Sequence, residues 1–196
     1  MPKLLVTENS FLETHVFEDP ELLELCIKDV ESKLLEGPEI SVYGKVCRQP
    51  RDVAFFQNPL PDGTASQGYR YSGRTMAAQP LTDPLLQLLE RVNATFGSTY
   101  NGILVNRYQN GHKYISAHSD DEAGLDQTGV VALSYGATRN FRIRKKADKT
   151  RVADVPLISG ELVHMGGDFQ REFTHEIPKQ TRITDVRYSF TFRVHR

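Results

Sequence analysis

His118 and Asp120 stand two residues apart in the segment His118-Ser119-Asp120. On a β-strand, residues i and i+2 face the same side with Cα atoms about 6.6 Å apart, so both side chains can reach one ion. The chain holds six histidines and 25 acidic residues. At that density about one such pair arises by chance, so the pair needs a third ligand. His164 lies in the apolar run Leu162-Val163-His164-Met165 and reads as a core histidine. His175 follows Phe173 on one face of Glu172-Phe173-Thr174-His175-Glu176 and is the better candidate. Two imidazoles and one carboxylate form the facial triad that suits non-haem Fe(II) and leaves positions open for a bidentate 2-oxo acid and dioxygen. His15, His112 and His195 have no comparable setting and read as surface residues.

The C-terminal segment offers a partner for such an acid. Arg187, Ser189, Thr191 and Arg193 alternate with Tyr188, Phe190, Phe192 and Val194. A strand with this pattern lines a pocket with its polar face and packs its aromatic face under a helix; an edge strand with its polar face in water has the same pattern. An arginine can hold a carboxylate through two parallel hydrogen bonds. Arg187 and Arg193 are six residues apart, about 20 Å along a strand, so they serve different groups. Arg187 is assigned to the remote carboxylate of 2-oxoglutarate and Arg193 to the neighbourhood of the metal or substrate. Asn106 and Tyr108 share a strand face and can add hydrogen bonds to the same ligand.

The elements around these residues are legible in outline. Asp19 and Pro20 signal a helix start, followed by the stripe Leu22, Leu23, Cys26, Ile27, Val30 and Leu34 and a stop at Gly37-Pro38. A second helix runs from Thr82-Asp83-Pro84 to Gly97 and buries Leu85, Leu86, Leu88, Leu89, Val92 and Phe96. Residues 45–80 read as irregular strands and loops of the kind that form a lid. Short β-rich segments near 102–108, 114–120, 129–135, 139–145, 151–158, 161–165, 172–177 and 186–194 suggest a sandwich or jelly roll with flanking helices, mainly β in class. The expected organisation is one domain over 1–196. Its parts are an acidic helical element (1–40), a substrate lid (45–80) and a jelly-roll core (100–196).

Composition sets further limits. With 24 basic and 25 acidic residues and a formal net charge of −1, a nucleic-acid partner looks unfavoured. The total, however, conceals a split. Residues 1–40 carry ten acids and three bases, residues 41–196 carry 21 bases and 15 acids, and seven bases fall within Gly136–Arg151. That asymmetry suggests a basic working face with the acidic element packed away from it; a solvated charged hairpin would give the same run. No stretch approaches the ~20 apolar residues of a membrane helix. Two cysteines, Cys26 and Cys47, suit a reduced thiol pair. An intracellular, soluble monomer without a membrane partner is expected.

Several motifs in order carry a resemblance. Asn106-Arg107-Tyr108-Gln109-Asn110-Gly111, His118-Ser119-Asp120-Asp121-Glu122, Leu133-Ser134-Tyr135-Gly136-Ala137-Thr138-Arg139, His175 and Arg187-Tyr188-Ser189-Phe190-Thr191-Phe192-Arg193 together resemble the AlkB family of Fe(II)- and 2-oxoglutarate-dependent nucleic-acid demethylases. The wording is similar to the animal DNA- and RNA-repair members over roughly residues 40–196.

The resemblance implies a double-stranded β-helix with iron on His118, Asp120 and His175. Asn106, Tyr108 and Arg187 would bind 2-oxoglutarate, with Arg193 near its metal-proximal end. Ser189 stands where the family usually has asparagine. Tyr69-Arg70-Tyr71-Ser72-Gly73 resembles the nucleotide-recognition lid, with Tyr71 stacking on a flipped base opposite His118 and Glu122 near its exocyclic amine. Arg51 in the lid and Arg139, Arg144 and Lys145 in the basic run would contact DNA or RNA.

The implied reaction is demethylation of bases such as 1-methyladenine and 3-methylcytosine, using dioxygen and 2-oxoglutarate and releasing formaldehyde, succinate and carbon dioxide. Hydroxylation of a protein or small molecule, or an inactive metal-dependent RNA-binding module, are the competing readings.

Overall fold

The computed structural model describes residues 3–42, 44–60, 62–71, 73–121 and 129–195. The acidic N-terminal stretch begins with strands, which corrects its reading as a helical element. Strand β1 (Lys3–Val6) pairs antiparallel with β2 (Ser10–Val16). β2 alternates buried Ser10, Leu12 and Thr14 with less buried neighbours. Its inward set holds only one large apolar side chain, which is why the sequence pattern conceals it.

Helix α1 (Pro20–Glu31) starts as expected, with the Leu22 N–H donating to Asp19 Oδ1 at 2.9 Å, and it buries Leu22, Leu23, Cys26 and Val30. It ends at Glu31, ahead of the expected stop at Gly37. Leu35 leaves the helical path to exchange backbone hydrogen bonds with Val53 at 2.9 and 3.0 Å.

The lid region divides into three parts. A hairpin of β3 (Glu39–Val42) and β4 (Lys45–Arg48) comes first. β5 (Asp52–Gln57) follows and is buried along its whole length. A second hairpin joins β6 (Tyr69–Tyr71) and β7 (Arg74–Met76). β5 therefore belongs to the core, a correction to the reading of 45–80 as lid throughout. Helix α2 (Asp83–Phe96) ends at Gly97, whose φ of 60° is the left-handed conformation that glycine supplies at helix ends. It buries Leu85, Leu88, Leu89 and Val92, while Leu86 is exposed, contrary to expectation.

Eight strands follow: β8 (Gly102–Tyr108), β9 (Ile115–His118), β10 (Val130–Gly136), β11 (Arg139–Lys145), β12 (Arg151–Leu157), β13 (Glu161–Gly167), β14 (Phe173–Ile177) and β15 (Arg187–Arg193), with the one-turn helix α3 (Phe169–Glu172) before β14. They form two sheets. The larger has the order β1-β2-β13-β10-β15-β8-β5 and the smaller β12-β11-β14-β9. Four of the eight lie in each sheet, the arrangement of a jelly roll.

One core, with Leu22, Cys26, Leu88, Val92, Tyr188, Phe190 and Phe192, lies between the helices and the larger sheet. A second, with Tyr108, Phe141, Ile143, Val163 and Phe173, fills the space between the sheets. β15 sits between β10 and β8 with all seven residues buried. The edge-strand alternative is thereby excluded, and the polar face of β15 turns into the interior. Among the described residues no helix is long and apolar enough to cross a membrane.

Two histidines expected at the surface are largely buried. His15 packs edge-on against Phe96, with ring centroids 4.6 Å apart, and His195 packs on Phe55 at 4.8 Å. Burial, reinforced by the Arg193 charge, lowers His195 to about 4 from its usual 6.5. Between those values the unfolded chain binds a proton that the folded chain refuses, so His195 makes stability fall as pH drops from 6.5 towards 4. His195→Gln should flatten this slope, seen as a smaller gap between urea-unfolding free energies at pH 7.5 and pH 5 than in the native protein. An unchanged gap would refute the assignment.

Candidate active site

His118 ends β9 and His175 lies directly opposite it on β14. Their rings are 4.4 Å apart between centroids, and Phe141 stacks on His175 at 5.0 Å with 22° between planes. His118 Nδ1 lies 2.9 Å from the Ser116 carbonyl. As a donor there, it leaves Nε2 as the free lone pair.

Asp120 lies just beyond the end of β9, so strand alternation alone does not orient it. Its backbone N–H donates to Gln170 Oε1 at 2.9 Å, and the preceding Ser119 hydroxyl donates to the Phe173 carbonyl at 2.9 Å. These bonds turn the carboxylate inward. Oδ1 is 3.7 Å from His118 Nε2, and Oδ2 is 3.6 Å from His175 Nε2. Arg193 closes the fourth side by donating to Oδ1.

The electrostatics favour coordination. Burial, together with the neighbouring His118, lowers His175 to about 3. Burial also lowers His118, against the opposing pull of Asp120. Burial pushes Asp120 up, yet Arg193 and the two imidazoles hold it below the usual carboxylate range. Neutral imidazoles and an ionised carboxylate are the protonation states that bind a divalent metal without first losing protons. Potential ligand atoms of the three residues all lie within 4.8 Å of one another, and two nitrogens with one oxygen suit Fe(II).

The residues expected to bind the co-substrate line the same cavity: Asn106, Tyr108, Arg187, Ser189 and Arg193, with Thr191 beside them. Arg187 is fully buried and donates through Nη2 to Ser134 Oγ at 2.9 Å, with its guanidinium over the Tyr108 ring. Burial pulls it down to about 10, still protonated at neutral pH. Its Nε and Nη1 have no partner among the described residues. A buried cation with two unmet donors is complementary to a carboxylate. Asn106 Oδ1 accepts from Arg51 Nε at 2.7 Å, which brings Arg51 into the cavity wall.

In the lid hairpin Tyr69 and Tyr71 lie nearly parallel, 6.1 Å apart. Tyr69, beneath the Arg193 guanidinium, lines the metal cavity. Tyr71, beside Arg51, lines an adjoining groove that Tyr69 also borders. The sequence reading put Tyr71 opposite His118; Tyr69, two residues earlier on the same face of β6, is the one of the pair that lines the cavity with His118. Ser72 and Glu122 lie outside the described residues.

The basic run is also revised. Arg139 is fully buried and donates to the carbonyls of Lys113 (2.8 Å), Pro178 (2.7 Å) and Asn110 (3.2 Å) and to Gln180 Oε1 (3.2 Å). Alternation along β11 turns it inward with Phe141 and Ile143, so it clamps loops and has no access to a phosphate. Arg144 is held by Glu176 at 2.9 Å, and Lys146 by Asp121 at 2.6 Å. Lys145 is exposed beside them. Gln170 and Ser134, which position Asp120 and Arg187, were missed as site residues. Ser134 lay within a quoted motif, but nothing local marks Gln170.

With this geometry in hand, the comparisons with known proteins are decisive. The family model of the 2OG-Fe(II) oxygenase superfamily matches residues 11–193. The chain belongs to that superfamily. 2-Oxoglutarate and dioxygen are the co-substrates of that superfamily, and the His118, Asp120 and His175 group just described suits its iron.

The AlkB resemblance also holds. Human alpha-ketoglutarate-dependent dioxygenase alkB homolog 3 is 34% identical over 182 residues, covering 88% of this chain and 60% of the relative. The human DNA oxidative demethylase ALKBH2 is 29% identical over 184 residues, covering 90% and 68%. The chain thus spans about three fifths of the length of alkB homolog 3. The solved structure of OsALKBH1 superposes with a TM-score of 0.60 at 16% identity, covering 99% of this chain and 100% of that one, and shares the fold.

Two arginine substitutions separate binding from architecture. Arg187→Met should weaken 2-oxoglutarate binding about 50-fold, measured by calorimetry without oxygen in the presence of Mn(II). Arg139→Met should leave that affinity unchanged and lower unfolding free energy by about 3 kcal/mol, because several buried acceptors lose their donor. The reverse pattern would overturn both assignments.

Proposed function

We propose that this oxygenase removes methyl groups from N-alkylated bases such as 1-methyladenine and 3-methylcytosine in DNA or RNA. The observation carrying the proposal is one buried cavity that joins the His118–Asp120–His175 group, the unmet donors of Arg187 and the Tyr69 wall of a lid hairpin. The names of its relatives, a DNA oxidative demethylase among them, support the choice of substrate.

Bound Fe(II), with dioxygen and 2-oxoglutarate, supplies a two-electron oxidation of a C–H bond, the 2-oxo acid leaving as succinate and carbon dioxide. The protein's residues do the rest. His118, Asp120 and His175 hold the metal. Arg187 grips the remote carboxylate of 2-oxoglutarate through Nε and Nη1 while Ser134 fixes its third nitrogen. Asn106, Tyr108 and Ser189 line the path between carboxylate and metal. Arg193 keeps Asp120 ionised and oriented.

Tyr69 and Tyr71 present aromatic faces to a base turned out of its stack. The methylated Watson–Crick edge is reachable only in that state, and a methylated base pairs poorly, which lowers the cost of extrusion. Once hydroxylated, the N–CH2OH group breaks its C–N bond. Its hydroxyl proton is lost and its carbon departs as formaldehyde, with the electron pair returning to the ring nitrogen. Lys145 is the phosphate contact the basic run retains.

The test is formaldehyde release from single-stranded oligonucleotides carrying 1-methyladenine or 3-methylcytosine, supplied with Fe(II), ascorbate and 2-oxoglutarate. One formaldehyde per methyl group removed is expected, with at least a thousandfold loss in Asp120→Ala. No formaldehyde from either lesion, or equal release by the variant, would refute the proposal.

A further inference from the structure

Arg51 stands where the metal cavity meets the lid. It immediately precedes β5, is 3% exposed, and lines the cavity that also holds His118, Asp120 and His175. Burying a guanidinium costs free energy unless its surroundings make use of it. Two neighbours do, and they belong to different parts of the molecule. Nε donates to Asn106 Oδ1 on the core strand β8 at 2.7 Å, and the guanidinium carbon lies over the ring of Tyr71 in the lid hairpin, 5.3 Å from its centre.

The bond to Asn106 selects one of two orientations. A primary amide carries an acceptor and a pair of donors on one soft torsion, so an asparagine side chain can present either to a cavity. Arginine has donors only. Oδ1 must therefore face Arg51, which leaves the two N–H donors of Nδ2 for another partner. Asn106 lines the cavity and stands opposite Ser189 in the register of β8 with β15, two residues before Tyr108 and its opposite number Arg187. Those donors suit the carboxylate or 2-oxo oxygens of the co-substrate.

The contact with Tyr71 uses the flat face of the same group. A guanidinium over an aromatic ring is attracted by the ring quadrupole, and the hydrogen bond at Nε fixes its plane. When an anion engages Nδ2, the amide is polarised and Oδ1 becomes a stronger acceptor. Arg51 is then held more firmly, and with it the ring that the lid offers to a base. By linkage the effect runs equally in the other direction.

We propose that Arg51 is a positioning residue with two roles. It fixes the Asn106 amide so that its N–H donors serve 2-oxoglutarate, and it couples that co-substrate to the lid ring of Tyr71, so that each ligand raises the affinity for the other. The second role rests on the proposed action on nucleic acids. The resemblance gave Arg51 to the nucleic acid directly; buried and with Nε engaged, it acts through Asn106 and Tyr71 instead.

The test is calorimetry with Mn(II) and without oxygen on the native protein, Arg51→Met and Arg51→Lys. 2-Oxoglutarate is titrated alone and again with a saturating single strand that carries 1-methyladenine. Without the strand, Arg51→Met should bind 2-oxoglutarate about tenfold more weakly: the freed amide turns its oxygen into the cavity, and turning it back leaves a buried Oδ1 with no donor. Arg51→Lys keeps a donor for Oδ1 and should recover most of that loss. With the strand, the native protein should bind 2-oxoglutarate about tenfold more tightly, and both variants should gain no more than about twofold, since neither keeps a planar cation over Tyr71. A purely structural role would lower the unfolding midpoint without separating lysine from methionine in this way.

Native affinity for 2-oxoglutarate in Arg51→Met would overturn the first role. Equal affinity with and without the bound strand in the native protein, or a tenfold gain retained by Arg51→Met, would overturn the second. Failure of the coupling is distinct from failure of the proposed reaction. Formaldehyde release with no gain in affinity would remove the coupling and leave demethylation standing. A strand that neither binds nor releases formaldehyde would remove both, and the Asn106 role would still be decided by the titration without a strand.

Discussion

The structure depends on one buried carboxylate. Asp120 is enclosed by two imidazoles and the Arg193 guanidinium. A lone carboxylate in such a place would take up a proton to escape the cost of desolvation. Arg193 prevents this, and the pair spans the jelly roll: Arg193 belongs to the larger sheet, whereas Asp120 follows a strand of the smaller one. A buried ion pair is a weak source of stability because both charges leave water. Its value here is in orientation, for it keeps an ionised oxygen facing two neutral nitrogens. One interaction thus bridges the two sheets and prepares a ligand set for a divalent ion.

β15 carries this arrangement into the rest of the molecule. Its aromatic face packs under α1 and α2 with the first core. Its polar face distributes two arginines along the cavity, one at the metal end and one at the Tyr108 and Ser134 end. Two buried guanidiniums of like charge are tolerable because they are a strand's length apart and have different counterparts. Arg193 already faces Asp120, and Arg187 retains two donors for an anion. The charge distribution follows the same logic. The acidic N-terminal stretch supplies α1 on the far side of the larger sheet and the sheet strand β2, and Arg107 ties Glu31 and Asp52 together.

Where sequence and structure agree, periodicity and chemistry pointed the same way. The alternation of β15 separated its pocket face from its core face, and the eight strands after Tyr100 emerged from turn residues and apolar pattern. The ligand set followed from donor chemistry, although the inward turn of Asp120 rests on Gln170, a residue distant in sequence. The failures share a cause. Arg139 and Arg144 read as free cations because charge runs do not reveal tertiary partners; one is surrounded by loop carbonyls and the other is held by Glu176. β5 was concealed among loop residues, since a buried edge strand six residues long has little pattern to show. β2 was concealed by polar inward positions; one of them, Ser10, gives its hydroxyl proton to Glu172, far away in sequence.

The central claim is that His118, Asp120 and His175 hold one Fe(II) with 2-oxoglutarate chelated beside it. Visible absorption of the native protein without oxygen tests this directly, because an electron-rich Fe(II) joined to a 2-oxo acid gives a metal-to-ligand charge-transfer band. The account predicts a band that needs both components and saturates at one equivalent of each. Absence of the band, or a band that forms with more than one iron per chain, would contradict it.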